Sequence, residues 1–110
     1  MKTKDGVYLG GLDPVMRPAL IAADVVWKAY GQELVITSTD DGVHSSGSLH
    51  PFGKAIDLRT YYFNSKEKKL KVCEALQVLL GISFTVILKD THIHVEYDLD
   101  KKYLALFKPS

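Results

Sequence analysis

The chain carries four histidines, and they occupy only two stretches: His44 and His50 in a polar run, His92 and His94 near the C-terminal end. Imidazole shuttles protons near neutral pH and is the commonest protein ligand for metals. Successive residues of a strand face opposite sides. In His92-Ile93-His94-Val95-Glu96-Tyr97 one face therefore carries His92, His94 and Glu96, and the other carries Ile93, Val95 and Tyr97, the expected core side. Ala55-Ile56-Asp57-Leu58-Arg59 divides in the same way, with Ile56 and Leu58 inward and Asp57 and Arg59 on the opposite side. Strands disfavour Asp, so a carboxylate at position 57 points to a chemical role. His50 precedes Asp57 by seven residues; Pro51 biases it to an extended conformation and Gly53 permits the turn back into the strand. His50, Asp57 and one strand histidine can thus converge.

Two imidazoles and one carboxylate suit a zinc ion with an open fourth position, which lowers the pKa of bound water and polarises a carbonyl. The remaining histidine, Asp90 or Glu96 is then available as general base or as a stabiliser of the transition state. The same donor set serves non-haem iron oxygenases, but those place His and carboxylate two residues apart on one strand, unlike His50 and Asp57. His44 reads as a loop residue. Cys73, the single cysteine, reads as inert core packing and excludes an internal disulfide framework.

The elements that must position these groups follow from local patterns. Asp13-Pro14 reads as a helix cap with proline at the first position, opening a helix to Tyr30 that Gly31 closes; Pro18 either kinks it or delays its start. Trp27 and Tyr30 are core or pocket-wall aromatics. Leu34 to Thr37 reads as a strand, Thr39 to Gly53 as a long polar loop, and Lys54 to Thr60 as a second strand. Ser65 caps a second helix with Leu70, Cys73, Leu76 and Leu80 on its apolar side, ended by Gly81. Lys66, Lys68, Lys69 and Lys71 read as a solvated face of that helix, with steering towards an anionic surface as the alternative. Ser83 to Leu88 and Thr91 to Tyr97 form a strand pair joined at Lys89-Asp90, and Tyr103 to Phe107 is a candidate edge strand. The expected class is α+β: a mostly antiparallel sheet with two packed helices.

With 110 residues the chain fits one domain, spanning 1–110, and buries roughly 60–70% of its unfolded surface. Apolar residues make up 46% and charged residues 25%, which excludes disordered and low-complexity classes. A net charge of +1 gives no reason to expect nucleic acid as a partner. The apolar stretch Ala19 to Trp27 is too short for a bilayer and is broken by Asp24, so no membrane partner is expected. Lys2 and Lys4 are followed by Asp5 and Gly6 and not by an apolar run, so no signal peptide is read and synthesis in the cytoplasm is expected.

Ser48-Leu49-His50-Pro51-Phe52-Gly53-Lys54-Ala55-Ile56-Asp57 resembles the S-x-H-x-x-G-x-A-x-D signature of zinc D-Ala-D-Ala carboxypeptidases. That group includes vancomycin-resistance D,D-dipeptidases and phage L-alanyl-D-glutamate endopeptidases. His92-Ile93-His94 resembles the H-x-H motif of the wider group, which also holds lysostaphin-type endopeptidases and the hedgehog signalling domain. The resemblance covers roughly Leu34 to Asp98 and implies a hedgehog/D-Ala-D-Ala-peptidase-like fold. It implies Zn2+ held by His50, Asp57 and His94, with His92 catalytic or stabilising the transition state and Ser48 contacting substrate or orienting His50.

Two positions depart from the family pattern. Dipeptidases place a carboxylate base three residues before the last zinc histidine, where this chain has Thr91; Asp90 stands one step earlier, so the base is His92 or Asp90. Many members grip a substrate carboxylate with the arginine of an S-G-x-R segment. The comparable Ser38-Thr39-Asp40-Asp41 has none, leaving Arg59, Lys54 or Arg17 for that task. The implied activity is zinc-dependent hydrolysis of peptidoglycan stem peptides by a compact, monomeric phage or prophage enzyme, released to the cell wall or carried in a virion. The alternative is a non-catalytic zinc domain that binds a partner or a cell-wall peptide.

Overall fold

The computed structural model describes residues 1–39 and 53–97. Five strands and two helices lie among them: β1 (Lys2–Thr3), α1 (Arg17–Ala29), β2 (Val35–Thr39), β3 (Ala55–Arg59), α2 (Lys66–Leu80), β4 (Phe84–Leu88) and β5 (His92–Tyr97). The strand order is β1-β2-β3-β5-β4. Only β1 and β2 run parallel; the other pairs are antiparallel. The class is α+β, as the patterns predict. His44, Ser48, His50 and the candidate strand Tyr103 to Phe107 lie outside the described residues.

Asp13 does cap the start of the first helical segment, its Oδ1 accepting the Val15 N–H at 2.9 Å. The segment opens as a short 3-10 turn, Pro14–Met16, and the α-helix proper begins at Arg17 with Pro18 in its first turn. Pro18 thus delays the start and does not kink the helix, because a first-turn residue needs no N–H partner within the helix. At the other end Gly31 is left-handed (φ 77°), and Gln32 N–H returns to Trp27 O at 3.0 Å. That bond closes the helix in the manner of a Schellman motif.

The core lies between one sheet face and both helices. Ile36, Ile56, Leu58, Ile93 and Val95 meet Met16, Ala19, Ala23, Val26 and Trp27 from the first segment and Val72 and Leu76 from α2. Trp27 is fully buried, edge-on to Phe63, and donates its indole N–H to Arg59 O at 3.1 Å. This bond pins the end of β3. Tyr30 also packs edge-on against Phe63.

The apolar side of α2 is rotated from the expected one. Leu70 is 44% exposed, and the buried residues are Val72 and Leu76, with Cys73 and Leu80 packed beside them. Leu70 precedes Leu76 by six residues, which places it about 120° round the helix. Burial holds the Cys73 thiol above its ordinary range, which favours the inert role read from the sequence.

Gln77 of α2 seals the outer edge of β4. Its amide donates to Phe84 O at 2.9 Å and Gly81 O at 3.0 Å, while its Oε1 accepts Val86 N–H at 3.1 Å. Among the described residues no helix is long and apolar enough to cross a membrane.

Candidate metal centre

The core face of the sheet fixes where its other face points. Ile56, Leu58, Ile93 and Val95 are buried, so strand alternation turns Asp57, Arg59, His92, His94 and Glu96 to the side away from the helices. The register of β3 with β5 then sets Asp57 opposite His94, Arg59 opposite His92 and Ala55 opposite Glu96. Three histidine or carboxylate side chains thereby meet around one oxygen. His94 Nδ1 lies 2.7 Å from Asp57 Oδ1, and His92 Nε2 lies 3.6 Å from that same oxygen. Glu96 Oε1 stands 3.7 Å from His94 Nε2, on the far side of the ring. Asp57, His92, His94 and Glu96 each keep between 22 and 28% of their side-chain surface exposed. The pairs are thus shielded yet open to a small solute.

A β-bulge adjoins Asp57. Ile36 pairs with Leu58 and Ser38 with Asp57, so Thr37 is the extra residue of β2, and its hydroxyl donates to Asp57 O at 3.4 Å. Bulges bend a strand and re-aim its side chains. Gly53 leads into β3 with φ at 82° and accepts the Asp13 N–H on its carbonyl at 2.9 Å. A Cβ there would run into the backbone of Gly11 and Asp13. Glycine is therefore required twice over, and it ties the entry of β3 to the start of α1.

The carboxylate only accepts, so the proton of the Asp57–His94 bond sits on Nδ1 of His94. That hydrogen bond raises the His94 pKa above its ordinary 6.5; partial burial opposes the rise, the Asp57 and Glu96 charges add to it, and the Lys89 charge lowers it. A metal ion would compete with this proton for the same two donor atoms. Asp57 and His94 fit zinc chemically as one oxygen and one nitrogen donor already in contact. Among the described residues no group of three or more His, Cys, Asp or Glu side chains is arranged to hold a metal ion. The third ligand expected from the resemblance, His50, and the substrate contact Ser48 lie outside the described residues.

The structure separates the two candidate bases. His92 shares the Asp57 oxygen with His94, and its Nδ1 is 2.9 Å from the Thr91 hydroxyl. Asp90 is exposed at the turn between β4 and β5, and among the described residues it forms no hydrogen bond or ion pair with Asp57, His92 or His94. It lines a different cleft, with Lys66, Lys69 and Lys89. The Thr91 contact escaped the sequence reading, because a hydroxyl beside a histidine carries no signal until the strand's start is known.

Arg59 has no ion pair among the described residues; its guanidinium lies over the Tyr61 ring, 5.3 Å from the centroid. Lys54 is engaged between Asp13 Oδ2 at 4.0 Å and the Tyr97 ring at 5.7 Å, and Arg17 sits exposed at the start of α1. Of the three proposed substitutes for the missing arginine, Arg59 alone shares the face of Asp57 and His94.

No protein-family model matches the chain, and no curated protein matches it.

Proposed function

We propose that this protein is a zinc-dependent peptidase that hydrolyses peptidoglycan stem peptides, of compact phage or prophage type, with a hedgehog/D-Ala-D-Ala-peptidase-like fold. The observation that carries the reading is the meeting of His94 and His92 on a single oxygen of Asp57, at 2.7 and 3.6 Å. It joins the S-x-H-x-x-G-x-A-x-D run to the H-x-H run through the pairing of β3 with β5.

His50, Asp57 and His94 would hold the zinc. When bound, it supplies a Lewis acid for the peptide carbonyl and a water of lowered pKa. The chain's own groups do the rest. Before zinc binds, Asp57 orients His94 and keeps its proton on Nδ1, 2.7 Å away. His92, whose Nε2 lies 3.6 Å from the same Asp57 oxygen, would take a proton from the attacking water and pass it to the departing amine. Thr91 holds the other nitrogen of that ring. Arg59 offers a cation on the same face for a substrate carboxylate.

Release of new amino termini from purified peptidoglycan, with and without a zinc chelator, tests the reading. Chelator-sensitive release that is lost in His50→Ala is expected. His92→Ala lowers kcat roughly 10²- to 10⁴-fold with zinc retained, whereas Asp90→Asn leaves kcat within about threefold. Protein that holds one zinc yet releases nothing from several peptidoglycan types is the non-catalytic binding domain. A loss in Asp90→Asn equal to that in His92→Ala moves the base role to Asp90.

A further inference from the structure

The His94 ring stands between two carboxylates, one at each nitrogen. Asp57 Oδ1 lies 2.7 Å from Nδ1, and Glu96 Oε1 lies 3.7 Å from Nε2. Asp57 comes from β3 through the strand pairing. Glu96 comes from β5 itself, two residues beyond His94 and on the same face. Asp57 belongs to the proposed ligand set, and Glu96 has no part in it. Yet Glu96 is far from a solvated surface residue. It keeps 22% of its side-chain surface exposed, against 81% for Glu67 of α2. Its cross-strand neighbours, Ala55 on β3 and Thr85 on β4, are short and uncharged. A long residue at either position would compete for the space beside the His94 ring. A carboxylate withdrawn this far from water requires polar partners, and the Nε2 edge of His94 is one within reach.

A neutral imidazole carries one N–H and so donates to one of these carboxylates at a time. Without a metal the shorter contact decides, and the proton sits on Nδ1 against Asp57. Nε2 then presents a lone pair to a carboxylate that also only accepts. Two acceptors keep apart, which accounts for a separation of 3.7 Å, longer than a hydrogen bond. An ion held by Asp57 and Nδ1 takes the place of the Nδ1 proton, and the ring N–H is then at Nε2, the nitrogen that Glu96 faces. Metal-bound histidines commonly donate the other ring N–H to a carboxylate, which fixes the tautomer and the ring orientation and strengthens the ligand.

We propose that Glu96 is a positioning residue of the metal centre: it receives the Nε2–H of His94 when Nδ1 is given to zinc, and so selects which ring nitrogen is the ligand. The protons balance. The Nδ1–H bond breaks and its proton goes to solvent water, and a ring that held only that proton takes one from water at Nε2. This role rests on the zinc reading of the polar face but not on peptide hydrolysis. It gives Glu96 no contact with substrate and no place among the ligands.

The test is zinc affinity at neutral pH, measured by competition with a chromogenic chelator, so it does not depend on turnover. Glu96→Ala is expected to weaken zinc roughly 10- to 100-fold. Glu96→Gln, whose amide oxygen still accepts the Nε2–H, is expected to recover part of that loss. Asp57→Ala, which removes a ligand, weakens zinc further than Glu96→Ala. Glu74→Gln, an exposed carboxylate of α2 on the other side of the sheet, leaves it unchanged. Zinc-free thermal melts confirm folding, and the isosteric Glu96→Gln carries the test if Glu96→Ala does not fold. Nitrogen–proton spectra of the His94 ring supply a second signature. Zinc-loaded parent is expected to show the metal on Nδ1 and a slowly exchanging N–H on Nε2. In Glu96→Ala that N–H exchanges faster.

Zinc bound through Nε2 of His94 overturns the proposal, as does affinity unchanged in Glu96→Ala. Equal losses in Glu96→Gln and Glu96→Ala would mark a plain charge effect, and a loss in Glu96→Ala as large as that in Asp57→Ala would make Glu96 a ligand. Each of these removes the positioning role and leaves the zinc reading in place. If zinc leaves the His94 ring signals of the parent unmoved, the zinc reading falls and the role of Glu96 falls with it. Zinc binding that depends on Glu96, in a protein that releases nothing from peptidoglycan, keeps that role and removes the peptidase.

Discussion

At the residue scale the Asp57–His94 contact governs the chemistry of the site. A proton on Nδ1 is held by a carboxylate 2.7 Å away, and this holds the His94 pKa above 6.5. Folding therefore favours the protonated ring. In metal-free protein the pair's contribution to stability is fully present below the ordinary histidine value and fades as pH rises through the raised folded value. A proton-detected titration of His94 is expected to show that raised midpoint, and Asp57→Asn to bring it down towards 6.5. A His94 midpoint unchanged in Asp57→Asn would mean that the contact is not what sets it. Zinc held at the proposed site would act in the opposite direction: its ligands would have to give up this proton, so zinc affinity is expected to fall as pH drops through the His94 range. The residues of this pair were legible because each stood on the polar side of an alternating strand. The partner on the other side of His94, Glu96, was legible only as a residue near the site, since its 3.7 Å approach to Nε2 depends on side-chain direction.

At the element scale the question is what keeps β3 and β5 in the register that makes the pair. Slipping one strand by a single residue would turn Asp57 inward and Ile56 outward, so the buried set Ile56, Leu58, Ile93 and Val95 enforces the pairing. That much follows from period-two patterning, and so strands β2 to β5 were readable in advance. β1 was not: two exposed residues carry no periodicity, and their parallel pairing with β2 depends on where α1 carries the chain. The bulge at Thr37 and the rotation of α2 away from Leu70 were hidden for the same reason, being set by neighbours distant in sequence.

The edge of β4 is guarded by Gln77, whose amide serves Phe84 O and Val86 N–H as another strand would. Gln77→Leu keeps the volume and removes those bonds. It is expected to cost about 1–2 kcal/mol in denaturant unfolding and to produce concentration-dependent association on a sizing column. Unchanged stability together with a monomeric profile would show that water replaces the amide without loss.

At the scale of the whole molecule, the sheet divides labour between its faces. One face builds the core with α1 and α2, and the other carries Asp57, His92, His94, Glu96 and Arg59. These five side chains are therefore separated by the sheet's own backbone from the core residues. Substitutions on the two faces should then separate experimentally. Leu76→Ala, in the core, is expected to lose about 2–5 kcal/mol of stability and to lower zinc-free and zinc-loaded melting temperatures together. Asp57→Ala removes a side chain that is 25% exposed and, at a pH above the raised His94 range, where the pair no longer adds stability, should leave the zinc-free melt close to that of the parent. Zinc in hundredfold excess over its Kd stabilises a binding-competent protein by about 2.7 kcal/mol, roughly a 10 °C rise for a domain of this size. The parent and Leu76→Ala are expected to show that rise, and Asp57→Ala to lose it. If zinc raised the melt of Asp57→Ala as much as that of the parent, the ion would be held elsewhere, and the proposed metal centre on the polar face of the sheet would be overturned. If Asp57→Ala instead unfolded without zinc, the two faces would not be independent, and the carboxylate would belong to the fold's support as much as to its chemistry.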